Sequence, residues 1–346
     1  MAGLLSALVG DAEIEALFSA EAEIAALVQF EVALSGAEAD AGLISADAAE
    51  RIAAVCEIFA PDAERLAAGL AKDGVVVPEL LRQLRRDIGD PHTEALHLGA
   101  TSQDVIDTGL MLRLKKLCGI LDTRLGALAG KFAALSSAEG ETALMAHTRM
   151  QAALPITVAD KIESWAAPLR RHRERLAALE FAVQLGGPVG NGESFQGKAD
   201  DVRAGLAERL GLSAAKPWQA ERDRIADIAH VLTLISGSLG KLGQDLALMA
   251  QNEVGAVKLA SGGGSSAMAH KQNPVGAEVL VALARFSAGL NGTLAQSMVH
   301  ENERSGAAWT LEWMVLPQIA VAAGSSLRIA AVLLDGLEFQ ASKSLA

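Results

Sequence analysis

The sequence predicts an all-α protein built around a bundle of long helices. Hydrophobic residues make up 51% of the 346 residues, whereas aromatic residues make up only 3%. An apolar composition dominated by Ala and Leu, with few β-branched runs, suits packed helices better than sheets. Helical periodicity also continues over stretches that exceed the usual length of a globular helix, which favours a long bundle.

Five long periodic segments are predicted to form this bundle. They span residues 105–138, 154–185, 223–256, 274–290 and 310–334. Pro155 is well placed near the start of the second segment, and Pro168 is expected to bend it. In the third segment a glycine recurs every three residues, at Gly237, Gly240 and Gly243. This spacing indicates a close approach between helices.

A smaller helical domain is predicted before the bundle. Ser45 can cap one of its helices, and another helix is expected to start near Pro78. A polar stretch at residues 88–104 then marks the first boundary. The chain ends soon after the last predicted helix. The expected division is an N-terminal domain at 1–96, a central bundle at 97–335 and a short tail at 336–346.

The charge balance excludes some classes of partner. The formal net charge is −12, whereas binding of nucleic acid or of an anionic membrane surface needs a basic patch. A local cluster of cations can still bind a small anionic substrate, because it opposes the overall field only where it is needed.

The chain is expected to be cytoplasmic. Residues 1–18 have no basic region and turn acidic at once, so we expect no signal peptide. Cys56 and Cys118 lack metal-ligand spacing and are interpreted as reduced core residues. The apolar run at 313–327 is interrupted by Pro317, and is predicted to be a buried bundle helix.

Three polar segments interrupt the helical pattern. The first, HLGATSQDVIDT, spans residues 97–108. Taken alone, it is best interpreted as a helix N-terminus in which Thr101 or Ser102 is the cap and Asp104 favours the helix dipole. The same stretch also presents backbone N–H groups and polar side chains to an anion. Its candidate binding residues are His97, Thr101, Ser102 and Gln103.

The second polar segment, MAHTRMQAALP, spans residues 145–155. It places four side chains that can bind an anion or move a proton just before a predicted long helix: His147, Thr148, Arg149 and Gln151. A solvated helix entry would explain any one of them. His147 on its own fits an ordinary surface or capping histidine equally well.

The third polar segment, GGGSSAMAHKQNP, spans residues 262–274. Its glycines supply backbone freedom. A Gly/Ser-rich sequence usually indicates a flexible surface loop. That interpretation does not account for the polar groups that follow the glycines so closely. These candidates are Ser265, Ser266, Lys271 and Asn273, with Glu278 one turn into the next helix.

This third segment resembles the signature loop of the fumarase/aspartase superfamily, GSSxMPxKxNP. The matching residues are Gly264, Ser265, Ser266, Met268, Lys271, Asn273 and Pro274. Ala269 departs from the pattern, since the family usually has Pro there. The first and second polar segments resemble the other two blocks of the superfamily, in the same order and spacing. Three ordered matches over nearly the whole chain are far more specific than one motif.

Within the superfamily, the segments HLGATSQDVIDT, TRMQAALPIT, PWQAERDRIADIA and GGGSSAMAHKQNPV are most similar to the cycloisomerase branch. That branch converts a carboxylated muconate, a small tricarboxylate, into a lactone. The resemblance implies an enolate-like intermediate, with the serine pair Ser265 and Ser266 in the proton transfer, and with Lys271 and Asn273 binding a carboxylate. It also implies no cofactor, no metal site, and a homotetramer in which each active site takes segments from three chains. Typical superfamily members carry a further C-terminal helical domain, and some members of this branch lack it. By this resemblance we expect a short natural variant with no full C-terminal domain.

Position 149 separates this branch from its relatives. Many superfamily members have a histidine there that helps to protonate the leaving group, whereas this chain has Arg149. A guanidinium stays protonated and cannot act as an acid. A carboxylate leaving group, with a pKa of about 4, needs no proton. The arginine therefore favours lactone chemistry over elimination of an amine or a hydroxyl.

Other roles remain open for these residues. Arg149 can instead bind a substrate carboxylate bidentately, and Glu278 can pair with it. His147 can replace the missing acid. The stretch at 297–309 resembles a family segment that usually reads EHER, but Asn302 replaces its histidine. His300 and residues 301–304 are accordingly further candidates for a pocket or an interface.

Two rival functions follow from the same sequence. Another superfamily lyase, such as an adenylosuccinate or argininosuccinate lyase, would need a proton donor near Arg149, which only His147 could supply. A catalytically silent helical scaffold would be expected to lose the signature loop. Ala269 is one such change, but Ser265, Lys271 and Asn273 are retained.

Overall fold

The computed structural model describes residues 3–260, 262–264, 268 and 271–341. The catalytic candidates Ser265 and Ser266 lie outside these described residues.

The helices are α1 (Ser6–Val9), α2 (Ala12–Ala16), α3 (Ala20–Asp40), α4 (Ala46–Glu57), α5 (Ala63–Asp73), α6 (Val77–Ile88), α7 (Ser102–Glu139), α8 (Val158–Ala178), α9 (Ala199–Leu210), α10 (Asp223–Met249), α11 (Val275–Leu294) and α12 (Gly306–Asp335). Short 3-10 helices lie at Thr93–Ala95, Glu193–Phe195 and Ala295–Met298. The short strands are β1 (Ala143–Thr148), β2 (Gln151–Thr157), β3 (Val257–Leu259) and β4 (Leu337–Phe339). They form two antiparallel ladders, β1 with β2 in a hairpin and β3 with β4, which are distant in sequence. The prediction of an all-α protein is confirmed.

Helices α7, α10 and α12 start at the same end of the bundle. Arg222, the residue before α10, forms ion pairs with Asp107 in the second turn of α7 and with Glu312 in the second turn of α12. At the opposite end, the backbone N–H of Phe339 in β4 donates to the carboxylate of Glu139, the last residue of α7. We call these two ends of the bundle the Arg222 end and the Glu139 end.

The ion pairs of Arg222 are completely buried. The side chains of Arg222, Asp107 and Glu312 are all 0% exposed. The guanidinium donates to both oxygens of Asp107, at 2.6 and 3.1 Å, and to both oxygens of Glu312, at 2.9 and 2.6 Å. Burial lowers the pKa of Arg222, but the two carboxylates outweigh burial and hold that pKa above its usual value. The triad therefore joins three long helices through buried ion pairs in which one cation faces two carboxylates, and burial raises the pKa of Glu312.

Helix α11 runs antiparallel to α10, and two glycines allow the helices to touch. A Cβ atom at Gly240 would overlap the side chain of Ala284, and one at Gly243 would overlap the carbonyl oxygen of Ala277. Gly237 has open space around it. The predicted close approach is thus confirmed at Gly240 and Gly243 and wrong at Gly237.

The prediction for the second long segment is wrong at both ends. Residues 151–157 form a strand, and the helix begins only at Val158. Thr157 and Asp160 cap that helix reciprocally: the Thr157 hydroxyl accepts from the backbone of Asp160, and the Asp160 carboxylate accepts from the backbone of Thr157. This capping box fixes the start more strongly than Pro155, which lies in β2 opposite Met145. The helix ends at Ala178 instead of residue 185, and Pro168 lies inside it.

Two hydrophobic cores stabilise the chain. One is formed by the long helices of the bundle, and the other is centred on the N-terminal helices. Ser45 caps α4 by accepting from the backbone of Ala48, and Pro78 lies in the first turn of α6, as the sequence predicts. The second core also contains Phe195 and Trp309 from later in the chain. The boundary between residues 96 and 97 stays a prediction.

Two described helices, α10 and α12, are long and apolar enough to cross a membrane by length and composition alone. Most of each apolar window is buried within the protein, 56% in α10 and 72% in α12. The apolar run at 313–327 lies in α12, and Pro317 is accommodated inside that helix. Burial in the bundle core accounts for the composition of both helices.

We expect the Arg222→Met substitution to destabilise the fold strongly. It leaves two carboxylates buried without a cation, and breaking a buried ion pair in this way costs about 3–5 kcal/mol. Urea denaturation followed by circular dichroism measures the change. The control is Arg170→Met, because Arg170 pairs with Glu163 at the surface, where such a pair contributes less than about 1 kcal/mol. Equal effects of the two substitutions would contradict a special role for the triad.

Candidate active site

The first polar segment is placed at the Arg222 end. Gln103 is buried, and its amide nitrogen donates to Asp107 at 3.1 Å and to the carbonyl oxygen of Gln219 at 2.8 Å. Its amide oxygen accepts from Nε of Arg304 at 2.8 Å. The predicted direct contact of Gln103 with an anion is therefore not supported, because both amide groups are engaged inside the protein. Gln103 instead positions the exposed Arg304, whose Nη2 lies 3.5 Å from the hydroxyl of Thr101.

Asp104 ties a neighbouring loop to the start of α7. Its buried carboxylate accepts from the backbone N–H groups of Thr101, Gly186 and Gly187 and from the side chain of Gln184, at 2.9 to 3.0 Å. Burial raises the pKa of Asp104 to about 6, although all four donors favour the ionised form. The sequence predicted a cap at Thr101 or Ser102, and Thr101 is the residue at that position. It did not show that Asp104 also organises residues 184–187.

The second polar segment forms the tip of the β1–β2 hairpin at the Glu139 end. Arg149 and Met150 both have positive φ, 49° and 66°, as in a two-residue type I′ turn. His147, Thr148, Arg149 and Gln151 are all exposed. Nδ1 of His147 lies 3.1 Å from the carbonyl oxygen of Met145. The part of the chain that the structure describes contains no ion pair between Arg149 and Glu278, so their predicted pairing is not seen within one chain.

The third polar segment lies beside a large cavity, also at the Glu139 end. The cavity has a volume of about 1450 Å³, and Lys271, Asn273 and Glu278 line it. Two further cations, Lys258 on β3 and Arg285 on α11, lie on the same walls. The backbone groups of Gly263 and Asn273 exchange two hydrogen bonds of 2.8 Å, which close the base of the loop. The candidates from this segment are thus brought together, apart from Ser265 and Ser266, which lie outside the described residues.

The first segment lies far from the other two within one chain. Helix α7 contains 38 residues, and at ~1.5 Å per residue it separates Ser102 from the hairpin by about 55 Å. Helix α10 contains 27 residues and separates Arg222 from the signature loop by about 40 Å on the same basis. One chain alone therefore does not bring the three polar segments into one pocket.

Sequence reasoning missed Glu31 at the Arg222 end, whereas His300 and residues 301–304 were among its candidates. Glu31 of α3 lies 2.7 Å from Nδ1 of His97, and nothing in the local sequence links two residues so far apart. His300 has a side chain that is 1% exposed and lies 3.9 Å from Glu312. Neither of its ring nitrogens has a partner among the described residues. Glu301, Asn302 and the two residues after them are exposed. In the described ranges, no group of three His, Cys, Asp or Glu side chains is placed to hold a metal ion.

The protein is a long helical bundle with a glycine-rich loop and cations at one end. Capped polar helix starts lie at the other end. Together these features define a lyase of the fumarase/aspartase fold. Comparison with known proteins agrees, since residues 12–286 match the family model described as Lyase. The chain belongs to this lyase family, and the resemblance inferred from the three motifs is confirmed.

Three known proteins show which members of the family this chain resembles. A 3-carboxy-cis,cis-muconate cycloisomerase from Pseudomonas aeruginosa is 39% identical over 342 residues, covering 96% of this chain and 74% of that protein. The crystal structure of the 3-carboxy-cis,cis-muconate lactonizing enzyme from Pseudomonas putida superposes with a TM-score of 0.91 at 38% identity, covering 98% of this chain and 78% of that one. An N-acetyl-S-(2-succino)cysteine lyase from Enterococcus italicus is 33% identical over 334 residues, covering 94% of this chain and 73% of that protein.

We expect Asp104→Asn to destabilise the Arg222 end. The new amide would point an N–H group at N–H donors, and losing hydrogen bonds to a buried charge costs about 2–4 kcal/mol in total. Thermal unfolding measures the loss, and activity should fall with it because the start of α7 loses its fixed position. Asp227→Asn is the control, since Asp227 is exposed on α10 and such surface changes stay within about 0.5 kcal/mol. An Asp104→Asn protein as stable as the control would contradict this assignment.

Proposed function

We propose that the chain is a 3-carboxy-cis,cis-muconate cycloisomerase, which forms 4-carboxymuconolactone. The observation that carries the proposal is Arg149 at the tip of an exposed hairpin. Its guanidinium has no ion pair within the described residues, so it is available to bind a carboxylate, and it cannot supply the proton that an amine or hydroxyl leaving group needs. The identity with proteins of this name supports the same reaction.

The proposed reaction needs anion binding and one proton transfer. One carboxylate oxygen of the substrate attacks the internal alkene and forms the lactone C–O bond. The displaced π electrons move towards a neighbouring carboxylate, which becomes enolate-like and carries two negative charges. We assign the stabilisation of this charge to Lys271 and Asn273, and their position among the residues that line the large cavity supports that assignment. Ser265 then delivers a proton to carbon and regains one from water.

The remaining substrate carboxylates are assigned to the other two segments. Arg149 and Gln151 at the hairpin tip supply one set of donors, with Thr148 beside them. Thr101 and Ser102 at the start of α7 supply another, together with Arg304. His147 is the residue that would act as an acid if the chain were one of the amine-eliminating lyases.

We propose a homotetramer with shared active sites. The separation of the two ends within one chain supports it, because an antiparallel copy would bring its Arg222 end against the Glu139 end of the first. Exposed apolar side chains on the bundle also support it: Phe286 on α11 is 37% exposed, and Met314 and Val332 on α12 are 63% and 52% exposed. Closed symmetric assembly would cover these faces.

The first test is an ultraviolet assay of the purified protein with 3-carboxy-cis,cis-muconate. We expect rapid loss of the conjugated diene, and we expect Ser265→Ala to reduce the rate by at least about 1000-fold because no other group delivers the proton on this mechanism. Gln272→Ala is the control on the same loop. Absence of diene loss with the wild type would overturn the proposal. Activity on adenylosuccinate, argininosuccinate or N-acetyl-S-(2-succino)cysteine would then identify the rival lyase.

The second test is complementation between inactive variants. His97→Asn removes a group at the Arg222 end, and Lys271→Met removes one at the Glu139 end. If each site combines opposite ends of different copies, random mixing restores about a quarter of the wild-type sites. Co-expression in equal amounts, followed by the diene assay, measures this fraction. The pair His97→Asn with Arg304→Met, both at the Arg222 end, should restore nothing. Equal recovery in the two pairs, or none in either, would contradict shared sites.

A further inference from the structure

A second cavity lies at the Arg222 end, in front of the start of α7. It has a volume of about 420 Å³ and is lined by Pro78, Leu81, Arg82, Arg85, His97 and Ser102. Three of these six side chains carry or can carry a positive charge, one is a hydroxyl, and none is a carboxylate. Arg82 forms an ion pair with Glu79, so Arg85 and His97 are the two that can bind an anion. In a protein with a net charge of −12, a cavity wall of this composition indicates a site for an anionic group.

His97 is held on this wall in an unusual way. Its φ angle is 63°, a left-handed conformation that costs a non-glycine residue about 1 kcal/mol or more. Nδ1 lies 2.7 Å from Oε1 of Glu31, and the two side chains are 10% and 0% exposed. Nε2 has no hydrogen-bond partner among the described residues. The contact with Glu31 therefore fixes the ring and makes Nδ1 the donor in that bond, while Nε2 remains available on the cavity side.

The charged groups that act on His97 lie on three helices, α3, α6 and α7. Burial lowers the pKa of His97, as does Arg85 of α6, but the charge and hydrogen bond of Glu31 and the charge of Asp104 outweigh them, so the pKa of His97 lies above its usual value. Glu38 lies two turns along α3 from Glu31, and burial together with the charge of Glu31 raises its pKa to about 9. Cys56 of α4 is neutral for the same two reasons, with a pKa of about 12. Glu31 is thus the α3 carboxylate whose charge acts on His97.

We propose that Glu31 is a positioning residue that holds His97 with Nε2–H directed into the small cavity, where His97 and Arg85 bind one carboxylate of the substrate. The chemistry alone would also suit a phosphate group. The proposal rests on the proposed function for the choice of a carboxylate, since a substrate with three carboxylates needs anion sites beyond Lys271 and Arg149. Ser102 lies on the same wall, at the positive end of the α7 dipole.

The first measurement is nitrogen NMR of the full-length protein labelled at histidine. The His97 signal is assigned by its absence in His97→Asn. In the wild type we expect His97 to remain protonated above pH 6.5 and to respond to added propane-1,2,3-tricarboxylate. Glu31→Gln, which keeps shape but loses charge, should lower the midpoint of that titration by about one pH unit or more and weaken the response at least tenfold. Glu38→Gln is the matched control and should change neither, because Glu38 is already neutral.

The NMR outcomes separate the possibilities. An unchanged His97 titration in Glu31→Gln would overturn the positioning role, and so would a wild-type His97 that ignores the tricarboxylate. Inorganic phosphate serves as the second probe. A response to phosphate at lower concentration than to the tricarboxylate would overturn the assignment to a carboxylate. Circular dichroism melting of both variants shows that any change does not come from unfolding.

Kinetics give an independent readout on the diene assay. We expect Glu31→Gln to raise KM at least tenfold with a much smaller change in kcat. The rise should be largest between the His97 titration midpoints of the two proteins, where the variant has lost the imidazolium and the wild type retains it. A merely structural role would lower the apparent kcat through loss of active protein and leave KM unchanged, and that result would overturn the proposal. If the wild type is inactive on the muconate while the NMR result is as expected, the proposed substrate fails and the Glu31–His97 assignment stands.

Discussion

The buried triad of Arg222, Asp107 and Glu312 is the interaction on which the rest of the structure depends. Arg222 is the one cation of the triad, and both carboxylates depend on it because all three side chains are sealed from water. Three helix starts must therefore meet in one register, or a charge is left buried and unpaired. Asp107 also accepts from the indole of Trp309 and from Gln103. The side chain that orients Arg304 is thus held by the same contacts that align the bundle.

Helix length then determines what the fold can do. Rigid helices of 38 and 27 residues place the polar starts of the helices at one end and the signature loop and hairpin at the other. Each end has a cavity with cations on its walls, Lys271 with Lys258 in the large one and His97 with Arg85 in the small one. The small cavity has no carboxylate among its lining residues, whereas the cations of the large one are balanced by Glu253, Glu278 and Glu338. A site that needs both ends requires more than one copy of the chain.

The sequence predicted the long helices well and the hairpin poorly, for physical reasons. The starts of α7, α10, α11 and α12 lie within four residues of the predicted starts, because apolar periodicity over many turns is a strong signal. The segment at residues 145–157 is short and polar at its tip. The positive φ angles of Arg149 and Met150 are not signalled by the local sequence, since neither residue is glycine or asparagine. The three motifs identified the candidate segments. Neither the burial of Gln103 nor the contact of Glu31 with His97 could be read from spacing, since both depend on how distant helices pack.

The most direct test of this account is a crystal structure of the Ser265→Ala protein soaked with 3-carboxy-cis,cis-muconate. The account predicts one substrate molecule in contact with Arg304 or His97 of one chain and with Lys271 and Asn273 of another. A substrate bound entirely by residues of a single chain would contradict it, as would a substrate that contacts the signature loop of one copy but no residue from the Arg222 end of any copy.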